Sequence, residues 1–151
     1  NIDINKGGFL MFKKIVSVAL VLLAVVMLPT SVQAYTGWEP GELVPADKYA
    51  YTTSVSTGLE ISSEGTATCR AKIVGVAGKT SRLECVMYLQ KYSKGAWTNV
   101  AKWNESTTSL SLSISKTKTV NRGRYRVRTV FRAYKGNPFE TITKLSAYVN
   151  Y

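Results

Sequence analysis

Arg124-Tyr125-Arg126-Val127-Arg128-Thr129-Val130-Phe131-Arg132-Ala133-Tyr134 is the stretch that decides the fold. Side chains of a β-strand point to opposite faces in turn. A period of two therefore places Arg124, Arg126, Arg128 and Arg132 on one face, with Tyr125, Val127, Thr129 and Phe131 on the other. One side is cationic and the other can be buried. The segment reads as a long, half-buried strand.

Similar text extends in both directions. Leu110, Leu112 and Ile114 alternate with Ser109, Ser111, Ser113 and Ser115, a pattern that fits a strand and not a helix. Ala67, Cys69, Ala71 and Ile73 face one way between Ala67 and Val74, and Leu83, Cys85, Met87 and Leu89 do so between Ser81 and Tyr92. Further strand text covers Tyr49 to Ser56, Leu59 to Ile61, Trp97 to Trp103, and a final pair between Phe139 and Tyr151. Turn residues separate these runs: Glu64-Gly65, Gly75-Val76-Ala77-Gly78, Ser93-Lys94-Gly95, Arg122-Gly123 and Gly136-Asn137-Pro138. Short strands at such regular spacing predict an all-β domain over 49–151, a single antiparallel β-sandwich of about seven strands. Tyr35 to Lys48, with Trp38-Glu39-Pro40-Gly41 and Pro45, reads as an irregular arm.

The strand 124–134 resembles the penultimate strand of immunoglobulin-like and fibronectin type III-like sandwiches, where a Tyr precedes an inward residue by two as Tyr125 precedes Val127. The inter-sheet Cys pair and Trp of antibody domains are not in their usual places. The Thr66-Ala67-Thr68-Cys69 strand, the Leu89-Gln90-Lys91 to Gly95-Ala96-Trp97 hairpin and the closing Tyr125-Arg126-Val127-Arg128 strand are together similar to small uncharacterised secreted β-sandwich proteins of Gram-positive bacteria. That resemblance implies export and brings no activity with it.

Met11-Phe12-Lys13-Lys14 is followed by an apolar run from Ile15 to Leu28, interrupted only by Ser17, and then by Pro29 to Ala34. A charged start, an apolar stretch and small residues before the cut describe a secretory signal over 11–34, cleaved between Ala34 and Tyr35. The run is shorter than the roughly 20 residues of a spanning helix; the competing reading is a retained anchor. Asn1 to Leu10 can be back-translated into a purine-rich ribosome-binding site before the Met11 codon, so 1–10 reads as untranslated bacterial leader or else as a real extension. Neither segment belongs to the folded domain. The expectation is a secreted, extracellular product, either released or associated with the cell wall.

Twenty Lys plus Arg stand against nine Asp plus Glu, a net charge of +11, and there is no His. Lack of His removes the commonest general base and metal ligand. The acidic residues are scattered. Glu60 and Glu64 flank a turn, which is a weak hint of glycosidase chemistry, and no nucleophile–base pair or phosphate loop is legible. The sequence predicts no enzyme, no cofactor and no metal.

Cys69 and Cys85 pair across a hairpin centred near Ala77, if the strands around them are consecutive partners. A disulfide there is within reach and would stabilise the fold by roughly 3 kcal/mol. The alternative is two buried free thiols acting as small apolar residues.

Arg124, Arg126, Arg128 and Arg132 read in two ways. They are a solvated face neutralised by carboxylates, with Glu140 the obvious partner, or an anion-binding surface, since guanidinium forks suit phosphate and carboxylate. Anionic wall polymer, glycan or acidic lipid would be the partner; no base-reading nucleic-acid motif is present. Trp97 and Trp103 share strand parity and suggest a carbohydrate-stacking platform or, alternatively, core residues. Tyr88, Tyr92, Tyr134 and Tyr148 could extend an aromatic surface. The sequence thus predicts a non-catalytic module docking on anionic polymer, with a carbohydrate-binding module or a basic membrane-active protein as alternatives.

Overall fold

The computed structural model describes residues 35–36, 42–43 and 48–151. The 1–10 segment, the 11–34 signal with its cut after Ala34, and much of the 35–48 arm lie outside the described residues. Ten strands are assigned: β1 Tyr35–Thr36, β2 Glu42–Leu43, β3 Thr52–Ile61, β4 Thr66–Gly75, β5 Arg82–Ser93, β6 Ala96–Thr107, β7 Ser111–Thr119, β8 Arg124–Tyr134, β9 Phe139–Leu145 and β10 Val149–Asn150. The described residues contain no helix.

The strands form two antiparallel sheets. In the first, β4 lies between β3 and β7, and β1 and β2 share the free edge of β3. In the second, β5 lies between β6 and β8, and β9 and β10 share the far edge of β8. Two parts of the expected arm thus pair with β3 rather than staying irregular. Two-residue bridges carry no periodicity that a sequence could display.

Alternation explains the layering. Val55, Leu59, Ile61, Cys69, Ile73, Leu112 and Ile114 of the first sheet and Leu83, Met87, Leu89, Tyr125, Val127 and Phe131 of the second belong to one buried cluster. Two sheets with one shared core make an all-β architecture compatible with a sandwich. Lys116 on β7 pairs with Glu105 on β6 at 2.8 Å, which ties the free edges of the two sheets together.

Turn chemistry fixes the registers. Lys94 (φ 51°) and Gly95 (φ 82°) form a two-residue loop between β5 and β6, the doubly left-handed turn that suits a hairpin's twist. Gly65 (φ 82°) closes the β3–β4 hairpin, donating to Ser62 O at 3.0 Å, and a Cβ there would meet Val120 O at 2.8 Å. At the start of β8 the Tyr125 hydroxyl donates to the Asn121 carbonyl at 2.7 Å, pinning the incoming loop to the strand.

One expected hairpin is absent. β4 and β5 belong to different sheets, so the turn near Ala77 is a crossover between layers. Cys69 pairs in register with Leu59 and Lys116, Cys85 with Glu105 and Phe131. Both are buried free thiols, and the expected disulfide is not formed. Burial pushes each thiol up to about 12, helped at Cys85 by the charge of Glu105. Such groups stay neutral and behave as small apolar residues.

Candidate anion-binding face

β8 keeps strict alternation: Tyr125, Val127, Thr129, Phe131 and Ala133 are buried, whereas Arg124 and Arg132 are exposed and Arg126 and Arg128 half-buried. The arginines therefore stand on the outer face of the second sheet. Register supplies their neighbours. On β5, Tyr92 lies beside Arg124, Gln90 beside Arg126, Tyr88 beside Arg128 and Glu84 beside Arg132. Next to these on β6 stand Trp97, Asn99, Lys102 and Ser106.

Rings and cations are interleaved over this face. The Arg126 guanidinium carbon sits 4.2 Å from the Trp97 ring centroid, and Arg124 lies 4.7 Å from Tyr148 and 5.8 Å from Tyr92. Arg128 and Lys102 share Tyr88 at 5.6 and 5.8 Å. Tyr92 and Trp97 touch at 5.2 Å between centroids. Contacts of this kind contribute about 0.5–1 kcal/mol each at exposed sites, which offsets repulsion between like charges two residues apart. Tyr148 and Tyr92 are 57% and 40% exposed, so the aromatic surface extends to solvent.

The four arginines are not equivalent. Glu84 receives Arg82 at 3.0 Å, Arg132 at 3.7 Å and the Tyr134 hydroxyl at 2.6 Å. That carboxylate holds the Tyr134 phenol above its usual range, chiefly through the hydrogen bond. Arg132 thus shares a carboxylate with Arg82, whereas among the described residues no carboxylate pairs with Arg124, Arg126 or Arg128. Glu140, the acid expected to serve this stripe, accepts instead from the Ala50 and Tyr51 amides at 2.9 and 3.1 Å. It pairs in register with inward-facing Ala133, so its parity is that of the core side. Desolvation, and then the charge of Arg128, lower the Arg126 pKa, but a guanidinium in protein remains cationic.

Side-chain amides anchor two of the three unpaired arginines. Arg124 Nε donates to Asn150 Oδ1 at 3.0 Å, and Arg126 Nε donates to Gln90 Oε1 at 2.9 Å. The Gln90 amide donates onward to Asn99 Oδ1 at 2.9 Å. Gln90, Asn99, Asn150, Lys102 and Glu84 belong to this candidate face, and sequence reasoning missed them. Their signal lies in cross-strand register, which a single strand's pattern does not contain.

Trp97 and Trp103 do not form a platform. The β5–β6 register shifts between Leu89 and Gln90, leaving Val100 as an extra residue on β6. The shift reverses parity, so Trp97 stands beside outward Tyr92 and Trp103 beside buried Met87, packed against the core. The residue types carry a trace of it: between the two tryptophans, polar Asn99 and apolar Ala101 share a parity but not a face. Among the described residues no three His, Cys, Asp or Glu side chains are grouped to hold a metal ion.

No protein-family model matches the chain, and comparisons with curated proteins and with solved structures return no similar protein.

Proposed function

We propose that this chain is an exported, non-catalytic binding module that docks on an anionic cell-surface polymer through the outer face of its second sheet. The observation that carries the proposal is the set of three outward guanidiniums, Arg124, Arg126 and Arg128. Among the described residues none has a carboxylate partner, and all three lie near rings: Arg124 by Tyr148 of the β9–β10 loop, Arg126 by Trp97 of β6 and Arg128 by Tyr88 of β5. Repelling cations lined up on one strand cost folding free energy, and an anionic ligand would relieve that repulsion. The net charge of +11 adds long-range attraction to such a surface.

Strand order supports an immunoglobulin-like or fibronectin type III-like assignment for the fold. The strand sets β3-β4-β7 and β6-β5-β8-β9 support this reading, in which β1, β2 and β10 would be short additions to a seven-strand sandwich. The Tyr125 hydroxyl, bonded to the carbonyl four residues upstream, resembles the corner such domains build at that strand and adds support. Export and a wall-bearing bacterial surface are parts of the proposal: the first rests on the Met11–Ala34 sequence, the second on the resemblance read from the sequence alone.

The proposal is tested by retention on purified cell walls across a salt titration. Retention that falls with salt and is lost in Arg124→Ser/Arg126→Ser/Arg128→Ser, but not in Lys72→Ser on the other sheet, is the expected result. Retention unchanged in the triple variant would overturn it.

A further inference from the structure

Two of the three unpaired arginines, Arg124 and Arg126, are held in place by side-chain amides, and this sets them apart from ordinary surface arginines. A long cationic side chain loses rotamer freedom when it grips a ligand, and pre-positioning removes that cost. Arg124 and Arg126 each have Nε engaged by a side-chain amide oxygen and the guanidinium set near a ring. Among the described residues their Nη groups have no acceptor, which leaves an end-on fork suited to two oxygens of one oxyanion. Arg128, the next outward residue of the strand, lies 5.6 Å from the Tyr88 ring centroid.

Spacing then selects the ligand. Residues two apart on a strand are about 7 Å apart. Three backbone bonds of an extended chain span about 3.3–3.6 Å, so six single bonds span about 7 Å. A linear phosphodiester with three carbons between successive phosphates has six bonds from one phosphorus to the next. Its phosphate repeat equals the backbone repeat of Arg124, Arg126 and Arg128 along β8, and the long side chains, which lean to either side of the strand, must bring their guanidiniums onto that line. The track is three positions long, because Val130 at the next outward position is neutral and Arg132 is bound to Glu84.

The rings decide between two chains of that spacing. Single-stranded nucleic acid is held by bases stacking on exposed aromatic faces. Here Trp97, Tyr88 and Tyr148 are engaged by the protein's own cations, which makes them supports for charge more than platforms for bases. Resting on the docking surface proposed above, we infer that Arg124, Arg126 and Arg128 form a track for three consecutive phosphates of a linear polyol phosphodiester. Gln90 and Asn150 act as positioning residues.

Calorimetric titration of the full chain with three six-charge oligomers tests this: glycerol phosphate, oligothymidylate and galacturonate. The glycerol phosphate oligomer is expected to bind about tenfold more tightly than either of the others. Three phosphate contacts at about 0.7 released counterions each give log K against log salt a slope near −2. Arg126→Ser should flatten the slope by about 0.7, and Arg132→Ser should leave it unchanged. Gln90→Ala, which removes no charge, should weaken binding about fivefold at constant slope; full affinity in that variant would overturn the positioning role. Equal, arginine-dependent binding of galacturonate would overturn the phosphate track while leaving anionic docking intact. Tighter binding of oligothymidylate would overturn it in favour of nucleic acid. Binding of none of the three would overturn the track and the docking surface together.

Discussion

The two outer faces of this molecule cover the same core and carry opposite lessons about charge. On the first sheet, Ser54, Ser56, Thr68, Ser113, Ser115 and Thr117 surround two cations, and one of them, Arg70, is paired with Glu60 at 2.9 Å. Lys72 stands between Ser56 and Ser113, neither long enough to support it. On the second sheet the neighbours are Tyr, Trp, Gln and Asn, which hold cations by their rings and carbonyl oxygens. Net charge alone would treat Lys72 and Arg126 alike. The difference lies in what the adjacent strands place beside each cation.

The largest consequence concerns binding. At about 1 kcal/mol per basic residue at an anionic surface, replacing Arg124, Arg126 and Arg128 with Ser should weaken polymer binding about 100-fold. Lys72→Ser should change it less than about twofold. Sedimentation with an anionic polymer at fixed salt measures both, and equal losses would erase the distinction between the faces.

Next comes the pair of tryptophans. Trp103→Ala removes a ring packed against the core and should cost about 2–3 kcal/mol in urea unfolding, below the range for a fully buried ring because Trp103 is only half-buried. Trp97→Ala should cost less than about 1 kcal/mol in stability yet weaken polymer binding by releasing Arg126. Tyr125→Phe should cost about 1 kcal/mol through loss of its bond to Asn121 and leave binding unchanged.

The smallest effect is electrostatic. Glu84→Gln removes the main cause of the raised Tyr134 pKa, so phenol absorbance should titrate at lower pH than in the parent protein. Released from Glu84, Arg132 should add a modest gain in polymer affinity, about twofold.

Alkaline stability has a direction set by the thiols. Cys69 and Cys85 are raised from 9.0 to about 12 in the fold, so the neutral form is favoured there. Their contribution is complete below pH 9 and is lost as pH rises from about 9 toward 12, as the unfolded chain sheds its protons first. Both thiols should resist a thiol reagent at pH 8 in the native protein and react together on unfolding.

β8 was readable to its end residues because eleven residues of clean alternation leave one choice of faces. The outward position of Arg124, Arg126, Arg128 and Arg132 followed from that parity. Cys69 and Cys85 misled because an inward apolar stripe looks the same whichever sheet the strand joins, so symmetry about Ala77 suggested a hairpin where the chain crosses between layers. Trp97 and Trp103 misled because one bulged residue, Val100, inverts parity without any glycine or proline to mark it. Glu140 and Glu84 exchanged roles for a third reason: which carboxylate meets an arginine depends on register across strands, and a single chain read alone has none.

The central claim is that the second sheet's outer face, and not the first's, meets the anionic partner. Titration of isotope-labelled protein with an anionic polymer, followed through arginine Nε–H and indole N–H resonances, tests it most directly. Shifts concentrated at Arg124, Arg126, Arg128 and Trp97, with Arg70 and the β4 and β7 amides unmoved, are the predicted result. Shifts centred on β4 and β7, or spread evenly over all cations, would contradict it.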